Sequence, residues 1–346
     1  MSLKNIQLIN AEEVSNLFQT KYDTSSFIRV FSSEEQIDLV TATSSTNAIV
    51  QGEQLEIKIG SKYTIELDKY QQEIILELRD LGWGLLLFIN EEAHYLRVNT
   101  NSKESEFEAI KNYPSLKIVD FGSGKNEEIK NLDSLVNLKH LQTLNLDHCP
   151  ALIDLNGLNQ LTTIETLFLD GFSVESEFHH LAYLKFLREF SQNESTIKEL
   201  NHLKDLNQLI KLHLFNCKSL SSLEGISGLT NLTSLNLNSC SSLISLEGIS
   251  GLTNLTSLNL NSCSSLTSLE VISGLTNLSS LILESCVSLT SLTVISGLTN
   301  LTSLNLSWCG SLKSLEGISG LTNLTSLNLR LCRSLKSIEG ISVLTN

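Results

Sequence analysis

The chain has 346 residues, 41% of them hydrophobic, and carries 38 acidic against 24 basic side chains for a formal net charge of −14 at pH 7. Such an excess repels phosphate backbones and argues against nucleic acid as a partner. No apolar run approaches the ~18 residues that span a bilayer, and MSLKNIQLINAEEV lacks the apolar stretch of a secretory signal. The expectation is no membrane insertion, and a protein that is cytoplasmic or exported without a classical signal peptide.

Residues 1–106 read as a small α+β domain. Asn10 with Glu13 resembles a capping box opening a short helix whose Val14, Leu17 and Phe18 share one face. Strand-like runs follow at Phe27–Phe31, Ile37–Thr41 and Leu55–Ile59. A second helix is expected from Asp68, burying Tyr70, Ile74, Leu78 and Leu81 and stopping at Gly82. Leu85–Ile89 and Tyr95–Val98 then flank Asn90-Glu91-Glu92 as a hairpin. The domain has one histidine, His94, and no cysteine, so no Cys/His dyad can be built from it.

A polar linker, Asn99–Ser105, leads into Phe107, Ile110, Tyr113 and Leu116, where the apolar spacing becomes three. Just beyond, Gly122-Ser123-Gly124-Lys125 resembles a phosphate loop but fails it, because Val119 stands where the first glycine belongs and Asn126 where Ser or Thr would bind magnesium.

From residue 107 to 346 the chain is periodic. Six of the seven cysteines, Cys217, Cys240, Cys263, Cys286, Cys309 and Cys332, stand 23 residues apart, each closing a phrase such as LTNLTSLNLNSC, Leu229–Cys240. The frame L-x-x-L-x-L-x-x-C extends back to Leu141, Leu144, Leu146 and Cys149 and to Leu116, Val119, Phe121 and Gly124, giving about ten repeats of 22–25 residues. Phe172 and Ser195 replace the cysteine in the third and fourth. A period of this length with this pattern is the signature of an α/β leucine-rich-repeat solenoid, one short parallel strand per repeat. Leu235 and Leu237 alternate with Asn236 and Asn238, which predicts leucines inward and asparagines outward on a concave sheet. After the cysteine, Leu243, Leu246, Ile249, Leu252 and Leu255 recur every three residues, which predicts a thin convex side of 3₁₀ or irregular turns. Residues 1–106 would cap the first repeat.

The cysteine ladder reads as packing rather than metal ligation or disulfides, since every side chain enters its turn in the same direction. Stacked free thiols suit a reducing compartment. The N-x-[ST] triplets at Asn231, Asn254, Asn277, Asn300 and Asn323 are by-products of the repeat. The chain stops at Ile341–Asn346, where the next strand is due, which reads as a shortened end with an apolar face open to self-association.

A binding site is expected where the strand face departs from its own consensus. In repeats six and seven the outward positions Ser234, Asn236, Asn238, Ser239 and Ser257, Asn259, Asn261, Ser262 are identical, and a row this uniform cannot select a partner. The asparagines Asn236, Asn259, Asn305 and Asn328 read as an amide ladder along the rod. One departure groups Asp147, His148, Phe168, Asp170, Lys211, His213 and Phe215, which read as exposed aromatics bordered by charge. A second groups Ile282, Glu284, Trp308, Arg330 and Leu331, residue types that include the interface favourites Trp and Arg. Asp147, Asp170 and His148 lack the oxygen-rich loop of a cation site, so no metal and no cofactor is expected.

Residues 107–346, with phrases such as GLTNLTSLNL, resemble bacterial leucine-rich-repeat proteins of the internalin and phosphatase-regulator type. Those repeats have Asn where this chain has Cys217 to Cys332, and LNLNSCSSL, Leu235–Leu243, is more similar to the cysteine-type repeats of plant resistance receptors and F-box proteins. The resemblance implies a non-catalytic solenoid that binds a protein or peptide on its concave face, as an effector or adaptor. The alternative is an enzyme or toxin activity in residues 1–106, with the repeats as a targeting module.

Overall fold

The computed structural model describes residues 3–9, 27–32, 48–51, 54–57, 84–89, 92–97, 108–122, 126–172 and 174–341. The chain separates into two compact units, Met1–Leu187 and Arg188–Asn346.

In the first unit, β1 (Leu3–Ile9) pairs antiparallel with β2 (Phe27–Ser32), which lies parallel to β5 (Gly84–Ile89). β5 turns back as an antiparallel hairpin with β6 (Glu92–Arg97), the hairpin expected around Asn90, and His94 falls within β6. Between them in sequence, β3 (Ala48–Gln51) and β4 (Gln54–Ile57) form a separate two-stranded hairpin. The helices expected at Asn10–Phe18 and from Asp68, and the strand at Ile37–Thr41, lie outside the described residues.

β6 also pairs in parallel with the first repeat strand, β7 (Ile118–Asp120), in the register Tyr95↔Ile118, Leu96↔Val119, Arg97↔Asp120. The edge that this strand would present to solvent is thereby occupied by the preceding hairpin, which is how a parallel stack is closed. β8 (Thr143–Asn145) and β9 (Thr166–Phe168) continue the stack in register.

Among its described residues the second unit holds seven repeat strands: β10 (Glu189–Ser191), β11 (Lys211–His213), β12 (Ser234–Asn236), β13 (Ser257–Asn259), β14 (Ser280–Ile282), β15 (Ser303–Asn305) and β16 (Ser326–Asn328). Each pairs in parallel with the next, so that Leu212, Leu235, Leu258, Leu281, Leu304 and Leu327 form one row. Strands of three residues make few ladder bonds, and the core carries the fold. Leu243, Leu246, Ile249, Leu252 and Leu255 are all buried, as three-residue spacing requires when successive turns present one side chain each to the same interior. Short 3₁₀ turns occur there, among them Glu224–Ile226, Glu270–Gly274 and Thr293–Gly297.

In the repeats whose strand exits are described, the chain leaves the strand through a residue in the left-handed region, immediately before the cysteine position. His148, Asn216, Ser239, Ser262, Ser285, Trp308 and Leu331 have φ between 54° and 64°, and Gly171 takes the same place at 81°. Leucine spacing carries no trace of this turn, because only φ distinguishes it.

All seven cysteines are free. The thiols of Cys240, Cys263, Cys286, Cys309 and Cys332 donate to the carbonyls of Leu214, Leu237, Leu260, Leu283 and Leu306 one repeat earlier, at 3.0–3.2 Å. Burial pushes the Cys263 and Cys309 thiols up to about 12, because a thiolate there would lose its hydration. Neutral, enclosed thiols are poor nucleophiles. A thiol-specific disulfide reagent at mildly alkaline pH should therefore label half-buried Cys332 first, and Cys240 to Cys309 only at the rate of unfolding. Residue-resolved mass spectrometry reads the order, and labelling of Cys263 as fast as Cys332 would contradict the buried-donor role.

Candidate functional site

The outward positions of the strands are where the repeats differ, and what those side chains can do depends on which polar residues are already engaged by the scaffold. Asn236 and Asn259 accept, through Oδ1, the backbone N–H two residues on, at 3.1 and 3.0 Å, and Asn305 and Asn328 do the same. These side chains thus close Asx turns at their own strand exits rather than forming the amide ladder expected of them, because a backbone N–H two residues on is the donor within reach. An amide ladder does exist elsewhere. The triplet asparagines Asn231, Asn254, Asn277, Asn300 and Asn323 donate from Nδ2 to a carbonyl of the preceding repeat at 2.8–2.9 Å. Thr256, Ser279, Thr302 and Thr325 add a parallel row of hydroxyl donors at 3.0–3.1 Å.

The first group of departures divides between the two units. In the first unit Phe168 is only 4% exposed, which corrects its reading as an exposed aromatic. It stands in register beside Asn145, itself buried, and outward side chains on strands ~4.8 Å apart shield one another once they are large. Asp147 is 2% exposed, and its Oδ1 accepts the Asp170 backbone N–H at 2.8 Å while Oδ2 is buried without a hydrogen-bond partner. Asp170 is buried as well, whereas His148, at the left-handed position, is exposed. Burial, reinforced by the nearby carboxylates of Asp170 and Asp120, pushes the Asp147 carboxyl from an ordinary 3.8 up to about 8. Asp147 and Asp170 are therefore interior groups rather than an open acidic rim. Among the described residues no cluster of three His, Cys, Asp or Glu side chains could hold a metal ion.

In the second unit Lys211 and His213, on β11, are half-buried and converge on Glu189 of β10. Lys211 Nζ lies 3.3 Å from Oε2 and His213 Nε2 lies 3.4 Å from Oε1. A search for aromatic departures on the strand face misses Glu189, although it occupies the same frame position as Lys211 one repeat earlier, where parallel register places opposite charges side by side. Phe215 is half-buried at the strand exit, its N–H donated to Asn193 Oδ1.

The second group lies wholly in this unit. Ile282 replaces asparagine between Asn259 and Asn305 in the outward row. Glu284 is half-buried and accepts the Asn305 amide at 3.1 Å. Trp308 is 44% exposed with φ 62°, at the position that Ser239, Ser262 and Ser285 fill in earlier repeats, and its N–H donates to the Arg330 carbonyl at 2.8 Å. Leu331 repeats the left-handed position at φ 59°, and Arg330 is exposed.

A further departure lies on the turn Glu175–Tyr183 of the first unit. The His179 and His180 rings lie with centroids 3.9 Å apart and their planes tilted by 38°, and Tyr183 and Phe186 are exposed, Phe186 at the frame position of the ladder asparagines. A reading restricted to the strand face does not reach it.

The family model for BspA-type leucine-rich repeats matches residues 187–313 and 240–346, in six copies. No curated protein sequence matches the chain. Among solved structures, internalin InlF of Listeria monocytogenes is similar over 97% of this chain and 92% of its own, with 18% identity and a TM-score of 0.51. The functional domain of InlJ from the same organism, described as including a cysteine ladder, shares 18% identity at a TM-score of 0.51 over 72% of this chain and 56% of its own. TLR13, solved with a single-stranded RNA, shares 24% identity at a TM-score of 0.54 over 68% of this chain and 39% of its own. At these identities the likeness establishes the leucine-rich-repeat fold.

Two stability predictions separate scaffold from surface. Unfolded, the Asp147 carboxyl titrates near 3.8; folded, near 8. Between those values the unfolded state binds fewer protons, so this group's contribution falls as pH rises across the window and is fully lost above it. Asp147→Asn keeps the acceptor for the Asp170 N–H, and asparagine already fills the equivalent positions 238 and 261. Its melting temperature should match the parent's near pH 3.8 and exceed it increasingly toward pH 8; parallel curves would refute the assignment. Trp308→Asn, which copies Asn216 at φ 59°, relieves a left-handed tryptophan and should stabilise by ~1 kcal/mol in urea unfolding.

Proposed function

We propose that this leucine-rich-repeat protein is a non-catalytic binding protein that holds a protein or peptide on the outward strand face of its repeats, in the manner of an adaptor or effector. The observation that supports this best is Trp308, a large apolar side chain kept 44% exposed in a left-handed conformation that is costly for most side chains. Packing does not require it, since serine holds the same turn at positions 239, 262 and 285. Retained strain on an exposed aromatic is the mark of a contact made with something else.

A stack of parallel strands also suits the task energetically. The face is preformed by in-register strands, so a partner meets little ordering cost on this side of the interface. Because the uniform Ser and Asn positions cannot discriminate among partners, Phe215, Ile282 and Trp308 carry selectivity in this reading.

Quantitative affinity capture from a cell lysate tests it, comparing the intact chain with Phe215→Asn, Ile282→Asn and Trp308→Asn combined. Each change installs a residue found at an equivalent position of another repeat, so folding should be retained and circular dichroism should coincide. A partner held by the intact chain should be lost at least tenfold from the variant, about 1.4 kcal/mol. Equal recovery from both would sink the strand-face reading.

A further inference from the structure

The basic residues of the second unit are distributed in a way that repeat geometry does not demand. From Ser219 onward there are four, Lys313, Arg330, Arg333 and Lys336, and all fall within the last two described repeats. Five of the six acids in the same stretch, Glu224, Glu247, Glu270, Glu316 and Glu339, recur at one convex position of successive repeats. Each of these five donates its backbone N–H to a serine two residues earlier and thereby serves the turn. The backbone N–H groups of Arg330 and Lys336 serve the scaffold in the same way, but all four cationic side chains are exposed, and among the described residues none makes an ion pair.

Their placement is also self-repulsive. The Lys336 N–H donates to the Lys313 carbonyl at 3.4 Å, so two ammonium-bearing residues occupy the same frame position in adjacent repeats. Like charges side by side on neighbouring strands or turns destabilise unless an anion lies across them. At Lys313 and Lys336 exposure does not come from being in the last described repeat, since the same frame position is 63% exposed at Ile244. Arg330 leads into the turn, and Trp308 and Leu331 stand at the two successive left-handed exits beside it.

We infer that Trp308, Lys313, Arg330, Leu331, Arg333 and Lys336 form a docking rim for an acidic protein segment that carries an apolar residue among its carboxylates. The inference rests on the strand-face reading and names the chemistry of the partner at one end of it. Four unpaired cations supply charge complementarity, and Trp308 with Leu331 supplies the apolar contact that a purely ionic ligand would leave unused. A protein segment fits better than a phosphate polymer. The chain's net charge of −14 repels an extended polyanion at long range, whereas a short acidic segment places its few charges against the rim alone.

A random short-peptide library displayed on phage is the probe, selected at low salt against the intact chain, against Lys313→Thr with Arg333→Ser and Lys336→Thr, and against Phe215→Asn with Ile282→Asn. The rim substitutions install what other repeats carry, such as Thr267, Thr290 and Ser241. The intact chain should enrich peptides rich in Asp and Glu with an apolar residue. A labelled member should bind the rim variant about tenfold more weakly and lose affinity as salt rises. Peptides without acidic bias, lost only with the Phe215 and Ile282 substitutions, would overturn the acidic partner while leaving strand-face binding intact. Selection of no peptide, equal binding by the rim variant, or tighter binding of an oligonucleotide or a phosphatidylserine vesicle would overturn it as well.

Discussion

The structure depends on how one buried carbonyl per repeat is satisfied. A three-residue strand followed by a left-handed turn leaves the carbonyl of its last inward leucine inside the core, away from water. At Leu237, Leu260 and Leu283 that oxygen accepts two donors, the backbone N–H of the cysteine closing its own repeat and the thiol of the next one. An unmet carbonyl at this depth would cost on the order of 1–3 kcal/mol. A side chain that supplies the second donor here must be small and apolar enough to be buried among leucines, although Phe172 fills the same position in the third repeat without donating. Cysteine meets these conditions, and its thiol, neutral because burial disfavours the thiolate, remains a donor at every pH the fold tolerates.

That constraint explains what was legible in the sequence. The cysteine period and the inward leucines announce the stack because the core is exclusive: Leu235, Leu258 and Leu281 can only be apolar, and their spacing records it. The three-residue rhythm of Leu243 to Leu255 was readable for the same reason. The outward positions were less so. Asn236 looks alike whether it bonds along the rod or down its own strand, and only the local backbone path from Asn236 to Asn238 decides that the nearer N–H wins. Phe168 reads as exposed by parity, but parity ignores neighbours, and its burial follows from how side chains on adjacent strands crowd one another. Glu189 could have been found by comparing equivalent positions across repeats rather than residues within one.

Repetition also sorts the polar residues into those the scaffold consumes and those it leaves over. Asn277, Thr302 and the turn serines recur because each satisfies a carbonyl or an N–H of the neighbouring repeat or turn, so their presence says nothing about a ligand. Departures from that pattern are informative in proportion to what they forfeit. Trp308 forfeits an unstrained turn, and Ile282 replaces an asparagine whose counterparts close Asx turns at the strand exit, as at Asn259 and Asn305. Neither residue is needed by the core, which is complete at Leu281, Leu283, Leu304 and Leu306 beneath them.

Among the described residues, buried side-chain polar atoms without a hydrogen-bond partner fall in the irregular repeats. Asp147 keeps a buried oxygen without a partner, and Gln192, fully buried at a position that Leu214 or Leu237 fills elsewhere, leaves its amide nitrogen unmatched while His202 bonds its carbonyl oxygen at 3.0 Å. Burial holds that histidine down to about 4, so it too is kept neutral by lost solvation. In a globular core such defects would weaken everything around them. In a stack each repeat interacts only with its neighbours, and stability is close to a sum of local terms. A penalty at Asp147 or Gln192 is therefore borne by the repeats that touch it, while the run from Leu232 to Leu324 keeps its full complement of buried leucines and thiols. The architecture permits chemically unusual residues in one stretch because the regular stretch does not have to accommodate them.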